Sequence, residues 1–226
     1  MNRTFLGLAL AALISTPLAA QQEAWRHKWY WGVQAGVFQY KTPIRAAWQR
    51  APSVGGHWLI TASRSALYLA YDEILFDRPY DGKFQADTSL IIDPTAAGGV
   101  RPIEFTRGRR IQAHIYIIPT DSRIQPYLGG GFAIQQLPDA TPLLGTDTLT
   151  ANQVEGLLKV VDQTSTRASP VFTGGLQFRF GRLAVYGHYQ FMPEGRNFLL
   201  TGSQHAFQGG LRYALTSARE EVTTGR

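Results

Sequence analysis

Gln125-Pro126-Tyr127-Leu128-Gly129-Gly130-Gly131-Phe132-Ala133-Ile134 decides how this chain is read. Alternate positions separate it into an apolar set, Leu128, Gly130, Phe132 and Ile134, and a small or amphipathic set, Tyr127, Gly129, Gly131 and Ala133. Three consecutive glycines are useless to a helix and weaken a soluble strand. A closed barrel can use them, because small inward residues let a narrow lumen close around larger neighbours. The rest of the chain arranges itself as strands on either side of this one.

Upstream, Trp29–Tyr40 sets Trp31, Val33, Ala35 and Val37 against Gly32, Gln34, Gly36 and Phe38. Ser53–Ala62 sets Val54, Gly56, Trp58 and Ile60 against Gly55, His57, Leu59 and Thr61. After the turn Ser63-Arg64, Ser65–Phe76 sets Leu67, Leu69 and Tyr71 against Tyr68, Ala70 and Asp72. Asp77–Gly99 is rich in turn formers. Val100–Ile118 reads as one long strand interrupted at Pro102, and residues 84–106 leave further strands open. Downstream, Pro138–Ser169 is the longest connection. Val171–Phe180, Leu183–Phe191 and Gln204–Leu215 complete eight strands, the first two joined by a Gly181-Arg182 hairpin turn. Within the long connection, Val154, Leu157, Leu158 and Val161 have the spacing of one helical face, with Thr150 and Gln153 placed for a capping box.

Two regularities go beyond strand counting. Connections alternate long and short, as in barrels with short periplasmic turns and long external loops. No charged residue falls on the apolar face within the runs quoted, whereas His57, Asp72, His114, Arg179, His188 and Arg212 all fall on the other. A lipid-exposed barrel enforces that sorting, since a cation on its midplane costs about 2–4 kcal/mol. A soluble sandwich alternates too, but its polar face is dense in Lys, Glu and Asp. Here that face is mostly Gln, Tyr, Gly, Ala and His, which suits a crowded lumen. Trp29, Trp31, Trp58, Tyr71, Phe191 and Tyr213 lie towards strand ends, where aromatic girdles belong.

The 226 residues suffice for one domain and include no cysteine, so thiol chemistry and disulfides are excluded. Mean hydropathy is −0.14, and past the N-terminus no apolar run reaches the ~18 residues of a spanning helix. Residues 1–20 have the form of a secretory signal peptide: Arg3, an apolar run Phe5–Ile14, and small residues ending at Ala19-Ala20. Removing them takes one charge from 22 − 16 = +6, leaving +5. The basic residues are scattered, which argues against nucleic acid.

On these residues the chain resembles the eight-stranded outer-membrane β-barrels, the OmpA-like and opacity-protein-like transmembrane domains. The resemblance rests on Pro126-Tyr127-Leu128-Gly129-Gly130-Gly131-Phe132 and on the last strand, where Gln208, Gly210, Tyr213 and Leu215 fit the family's assembly signal. That signal normally ends a chain in an aromatic; here eleven residues follow Leu215. The expectation is therefore all-β: a closed eight-stranded antiparallel up-and-down transmembrane β-barrel with long external loops. It covers 29–215, after a signal peptide (1–20) and lead-in (21–28) and before a polar tail (216–226).

The resemblance implies a monomer in the outer membrane that meets its lipid, the barrel-assembly machinery and a loop partner of unknown kind, without a cofactor, metal or catalytic site. The inward polar cluster His57, Asp72, His114, Arg179, His188 and Arg212 is read as a plug, with Asp72 paired to Arg179 or Arg212. A narrow channel or carrier for small or apolar solutes, and a soluble exported calycin-like binder, stay open as alternatives. Ser203 and His205 share one side of a strand and resemble lipid-trimming barrel enzymes, but in an order and spacing that do not match them.

Overall fold

The computed structural model of the chain describes residues 27–42, 47–76, 80–83, 100–143, 150–195 and 198–217. The expected signal peptide, nearly all of the expected lead-in and the expected tail beyond Ser217 lie outside them. Eight long strands form a closed barrel. They are β1 (Lys28–Lys41), β2 (Gln49–Thr61), β3 (Ser65–Leu75), β6 (Arg107–Ile117), β7 (Ile124–Gln136), β9 (Thr166–Phe180), β10 (Leu183–Met192) and β11 (Thr201–Ser217). Three short strands, β4 (Tyr80–Lys83), β5 (Val100–Glu104) and β8 (Thr141–Pro142), and the helix α1 (Ala151–Ser165) lie in the long connections.

Barrel neighbours run antiparallel in chain order, and β11 returns to β1 to close the circle. Closure leaves no barrel strand with an unpaired edge. Residues 62–64, 118–123 and 181–182 make the short turns, Gly181 taking φ +61° in the tightest. The other connections gather at the opposite end.

The alternation read from the sequence is the alternation of the wall. Outward, Leu128 is 70% exposed and Phe132 68%, with Trp31, Ile115, Phe172 and Leu211 on other strands. Inward, Tyr127, Ala133, His57 and Gln112 are buried. Gly129 and Gly131 face inward, where the neighbouring strand leaves room for nothing larger: a Cβ at Gly131 falls within 2.7 Å of His114 Cα, and one at Gly129 within 2.4 Å of the Tyr116 ring. An apolar belt around the whole circumference far exceeds the patches of a few hundred Å² that soluble monomers expose. Its natural solvent is lipid.

Four boundaries differ from the sequence reading. Val100–Ile118 is two strands in two sheets, because β5 leaves the barrel to pair with β4 and β8 in a three-stranded sheet. Asp139 fixes the break, accepting the Thr106 N–H (3.0 Å) and hydroxyl and the Arg107 N–H (3.2 Å). The Pro138–Ser169 connection is shorter than expected, since β9 starts at Thr166 and Pro170 lies inside it opposite Phe132. β2 begins at Gln49, not Ser53. β11 begins at Thr201 and carries two residues of the expected tail. The helix stands where the spacing placed it, with the Thr150 N–H donating to Gln153 Oε1 at 2.8 Å. Leu157 and Val161 are its buried face.

Candidate functional site

The lumen is filled in layers. At the long-connection end, Phe38, Tyr40, Phe76, Ala133, Val171 and Met192 from the barrel pack with Ile103, Phe105, Leu137 and Phe198–Leu200 from the connections. Phe105 and Tyr40 each meet the Phe76 ring edge-on, at 5.0 and 5.1 Å. At the turn end, Tyr30, Leu59, Tyr68, Tyr116 and Tyr127 form a second cluster.

Between them lies a polar network around Asp72. Adjacent strands β3 and β6 place Arg110 directly opposite it. Arg110 donates to Asp72 Oδ2 from Nη2 (2.8 Å) and Nε (3.3 Å), and both side chains are fully buried. Gln112 donates to the same oxygen and Gln34 to Oδ1. Removed from water, such a pair persists only with its remaining lone pairs satisfied, and this carboxylate accepts on both oxygens. Tyr68 and Tyr186 each donate to Gln34 Oε1 at 2.6 Å, and Tyr186 OH also lies 3.1 Å from His57 Nδ1. Arg110 Nη1 reaches Met192 Sδ at 3.9 Å, which joins the polar layer to the apolar one above.

His188 links Tyr127 OH (3.3 Å) to Gln208 Oε1 (3.2 Å), and His114 Nδ1 meets Thr173 Oγ1 at 3.0 Å. Arg212 donates to Gln177 Oε1 at 3.1 Å and lies 3.7 Å from the centroid of Tyr186, a short cation–π contact.

Five of the six residues read as a lumen cluster lie in or beside this network: His57, Asp72, His114, His188 and Arg212. Arg179 has the same inward parity and a largely buried side chain but is not part of it. It stands at the turn end and pairs with Asp121 at 3.1 Å, so neither arginine expected to pair with Asp72 does so. The partner is Arg110, which the sequence reading omitted. The signal was present: within the expected Val100–Ile118 strand, Arg110 has the parity of Gln112 and His114. The three histidines each take hydrogen-bonding roles, and among the described residues no group of three His, Cys, Asp or Glu side chains is placed to hold a metal. Gln208 and Gly210 of the last strand face inward, while Tyr213 and Leu215 face out.

The outward face carries its own polar cluster near the long connections. Ser203 Oγ lies 3.2 Å from His205 Nε2, and His205 Nδ1 2.6 Å from Tyr189 OH. The third position is a phenol rather than a carboxylate. The nearby Gly202 N–H is already given to Glu194 Oε1 at 3.0 Å, so that donor is not free for an oxyanion. Outward charges occur in the same zone: Glu73 and Arg109 pair at 3.6 Å on neighbouring strands. At the turn end, Trp58 stacks on Trp31 (5.4 Å) and meets Trp29 edge-on (5.2 Å), part of the expected girdle.

No protein-family model matches the chain, and no curated protein matches it by sequence. Solved structures do. Neisserial surface protein A superposes with a TM-score of 0.54 at 12% identity, over 83% of this chain and 97% of that one. The outer membrane protein OprG from Pseudomonas aeruginosa gives 0.45 at 11% identity, over 85% and 99%. Ail, the attachment invasion locus protein of Yersinia pestis, gives 0.43 at 9%, over 83% and 99%. At these identities the likeness establishes a fold: the chain is an eight-stranded antiparallel barrel of the kind found in outer-membrane proteins.

Proposed function

We propose that this chain is a small monomeric outer-membrane barrel with a structural and interaction role, its lumen plugged and its long connections presented outside the cell. The observation that carries this reading is the filled lumen. An apolar layer from the connections, a salt-bridged polar layer and a tyrosine layer lie one below another, leaving the connections as the part free to meet other molecules. The expected signal peptide is its route of export. Gln208, Gly210, Tyr213 and Leu215 are its handle for the barrel-assembly machinery.

A narrow conducting path is the second reading, and one observation favours it. Gln190 and Gln204 have neither amide atom partnered, and Gln112 Oε1, His114 Nε2, His57 Nε2 and Arg212 Nη2 also lack protein partners. Buried polar atoms of this kind are met by water.

Purified protein in a planar bilayer decides between them: the plugged barrel gives no current steps, and steady steps in the parent protein would establish the channel. Location is tested first by fractionation and by SDS mobility before and after boiling. Outer-membrane recovery with a heat-dependent shift is expected; a soluble periplasmic protein with one mobility would overturn the lipid-facing assignment and revive the calycin-like binder.

A further inference from the structure

The lipid-facing wall is not uniformly bulky. On β10 and β11 the outward positions Gly187 and Gly209 are paired, and Ala35 on β1 continues the row. Gly174 on β9 lies opposite Tyr189 beside them. Leu176, Phe178, Val185, Tyr189 and Phe207 stand around Gly174 and Gly187 to form an open groove of about 730 Å³. Nothing fills the space over Gly187: an added Cβ would come no closer than 3.9 Å to another atom.

The groove runs into the outer polar cluster. Tyr189 belongs to both, walling the groove with its ring and meeting His205 with its hydroxyl. The Trp48 ring stands edge-on to His205 at 4.8 Å, and the Lys41 ammonium sits 4.6 Å over that ring. Lys41 pairs with Thr201 at the long-connection end, the level at which lipid head groups meet water. From Ser203 to Leu211 the outward face of β11 changes from hydroxyl and imidazole to aromatic, to bare glycine, to leucine. The eight steps span about 27 Å of tilted strand. One face thus carries a cation and hydroxyls at its head and an apolar trough below.

The geometry points to a docking site for one phosphate-bearing membrane lipid. Its phosphate lies against Lys41, His205 and the Ser203 hydroxyl, and an acyl chain lies along the groove floored by Gly174 and Gly187. Charge complementarity selects this occupant: a phosphate is the anion a membrane supplies at that depth, and the trough below accepts the chain covalently attached to it. The inference rests on the reading that this wall faces a bilayer.

Native mass spectrometry of the protein refolded in zwitterionic detergent and titrated with dioleoyl phosphatidic acid tests it. One lipid is expected to remain bound, and dioleoylglycerol, with the same chains and no phosphate, at least tenfold less. Gly187→Leu fills the trough, and Lys41→Gln combined with His205→Gln removes the head-group donors. Each is expected to lower retention at least fivefold while the heat-dependent mobility shift persists. Gly174→Leu, where only the flexible end of Leu128 at 3.2 Å must yield, replaces Gly187→Leu if that variant loses the shift. Equal retention of the two lipids, or equal retention by parent and variants, overturns the site. Release of free fatty acid overturns it in favour of hydrolysis at Ser203. A parent protein that stays soluble without detergent would remove the premise instead, which the fractionation above reports separately.

Discussion

The two halves of the lumen are filled by opposite means. Towards the long connections the filling is apolar and partly borrowed: Ile103, Phe105, Leu137 and Phe198 come from outside the wall. Below it, down to the tyrosine cluster at the turn end, it is polar and supplied by the wall itself, with Asp72, Arg110, Gln34, Tyr68 and Tyr186 each on a barrel strand. The contrast separates two jobs. The polar half fixes which strands lie together, because its bonds are directional and costly to leave unmade. The apolar half fastens a cap to a barrel that is already closed.

The sharpest way to break the contrast is Asp72→Ala. It leaves the buried Arg110 cation without its partner, and a destabilisation of about 3–5 kcal/mol is expected in urea unfolding from micelles. Adding Arg110→Met should recover most of that loss. A single-variant cost below about 1 kcal/mol would mean that lumen water replaces the carboxylate, blurring the two halves into one solvated interior. A smaller effect is expected from Ile103→Ala, about 2–3 kcal/mol, within the usual range for removing a buried isoleucine side chain. Its signature should be local: faster protease cleavage in the connections, with the heat-dependent mobility of the barrel retained. A barrel that loses that shift would show that the cap is part of the closed unit.

The mildest probe is pH. Burial alone would raise the Asp139 carboxyl, but hydrogen bonds from the Thr106 hydroxyl and from the Thr106 and Arg107 N–H groups outweigh it and hold the value below the ordinary carboxylate range. A folded value lower than the unfolded one stabilises above the unfolded value and loses that stabilisation as pH falls through the folded one. Acidification below the carboxylate range should therefore loosen the junction between β5 and β6 before the barrel opens, seen as amide exchange at Thr106 and Arg107. Protection unchanged down to that pH, or unchanged in Asp139→Asn, would remove the carboxylate from the junction.

The sequence showed the barrel strands and which side of each faces in, because a strand with one side in lipid and one in a lumen can alternate in only one way. It showed α1 through Leu157 and Val161. The first residues of β9, Thr166–Ser169, were hidden by Pro170, which reads as a boundary but sits inside a strand. The small β4–β5–β8 sheet was hidden because its pairing joins segments of two different connections, and nothing in Tyr80–Lys83 or Thr141-Pro142 announces a partner. Arg110 was within reach of parity; its bond to Asp72 was not, since that depends on the register of β3 against β6. The same is true of the contact between Tyr189 and His205, which depends on the register of β10 against β11.

The closure of β1 on β11 carries a consequence for how the molecule is made. Every other barrel pairing joins strands that are neighbours in the chain, whereas this one joins Lys28 to Ser217. The last barrel strand to be made is thus the one that mates with the first. Until it arrives, two strand edges and the polar lining of the lumen have no partners, a state prone to mispairing. Closure therefore waits for the last barrel strand, and loss of β11 would leave an open sheet rather than a smaller barrel.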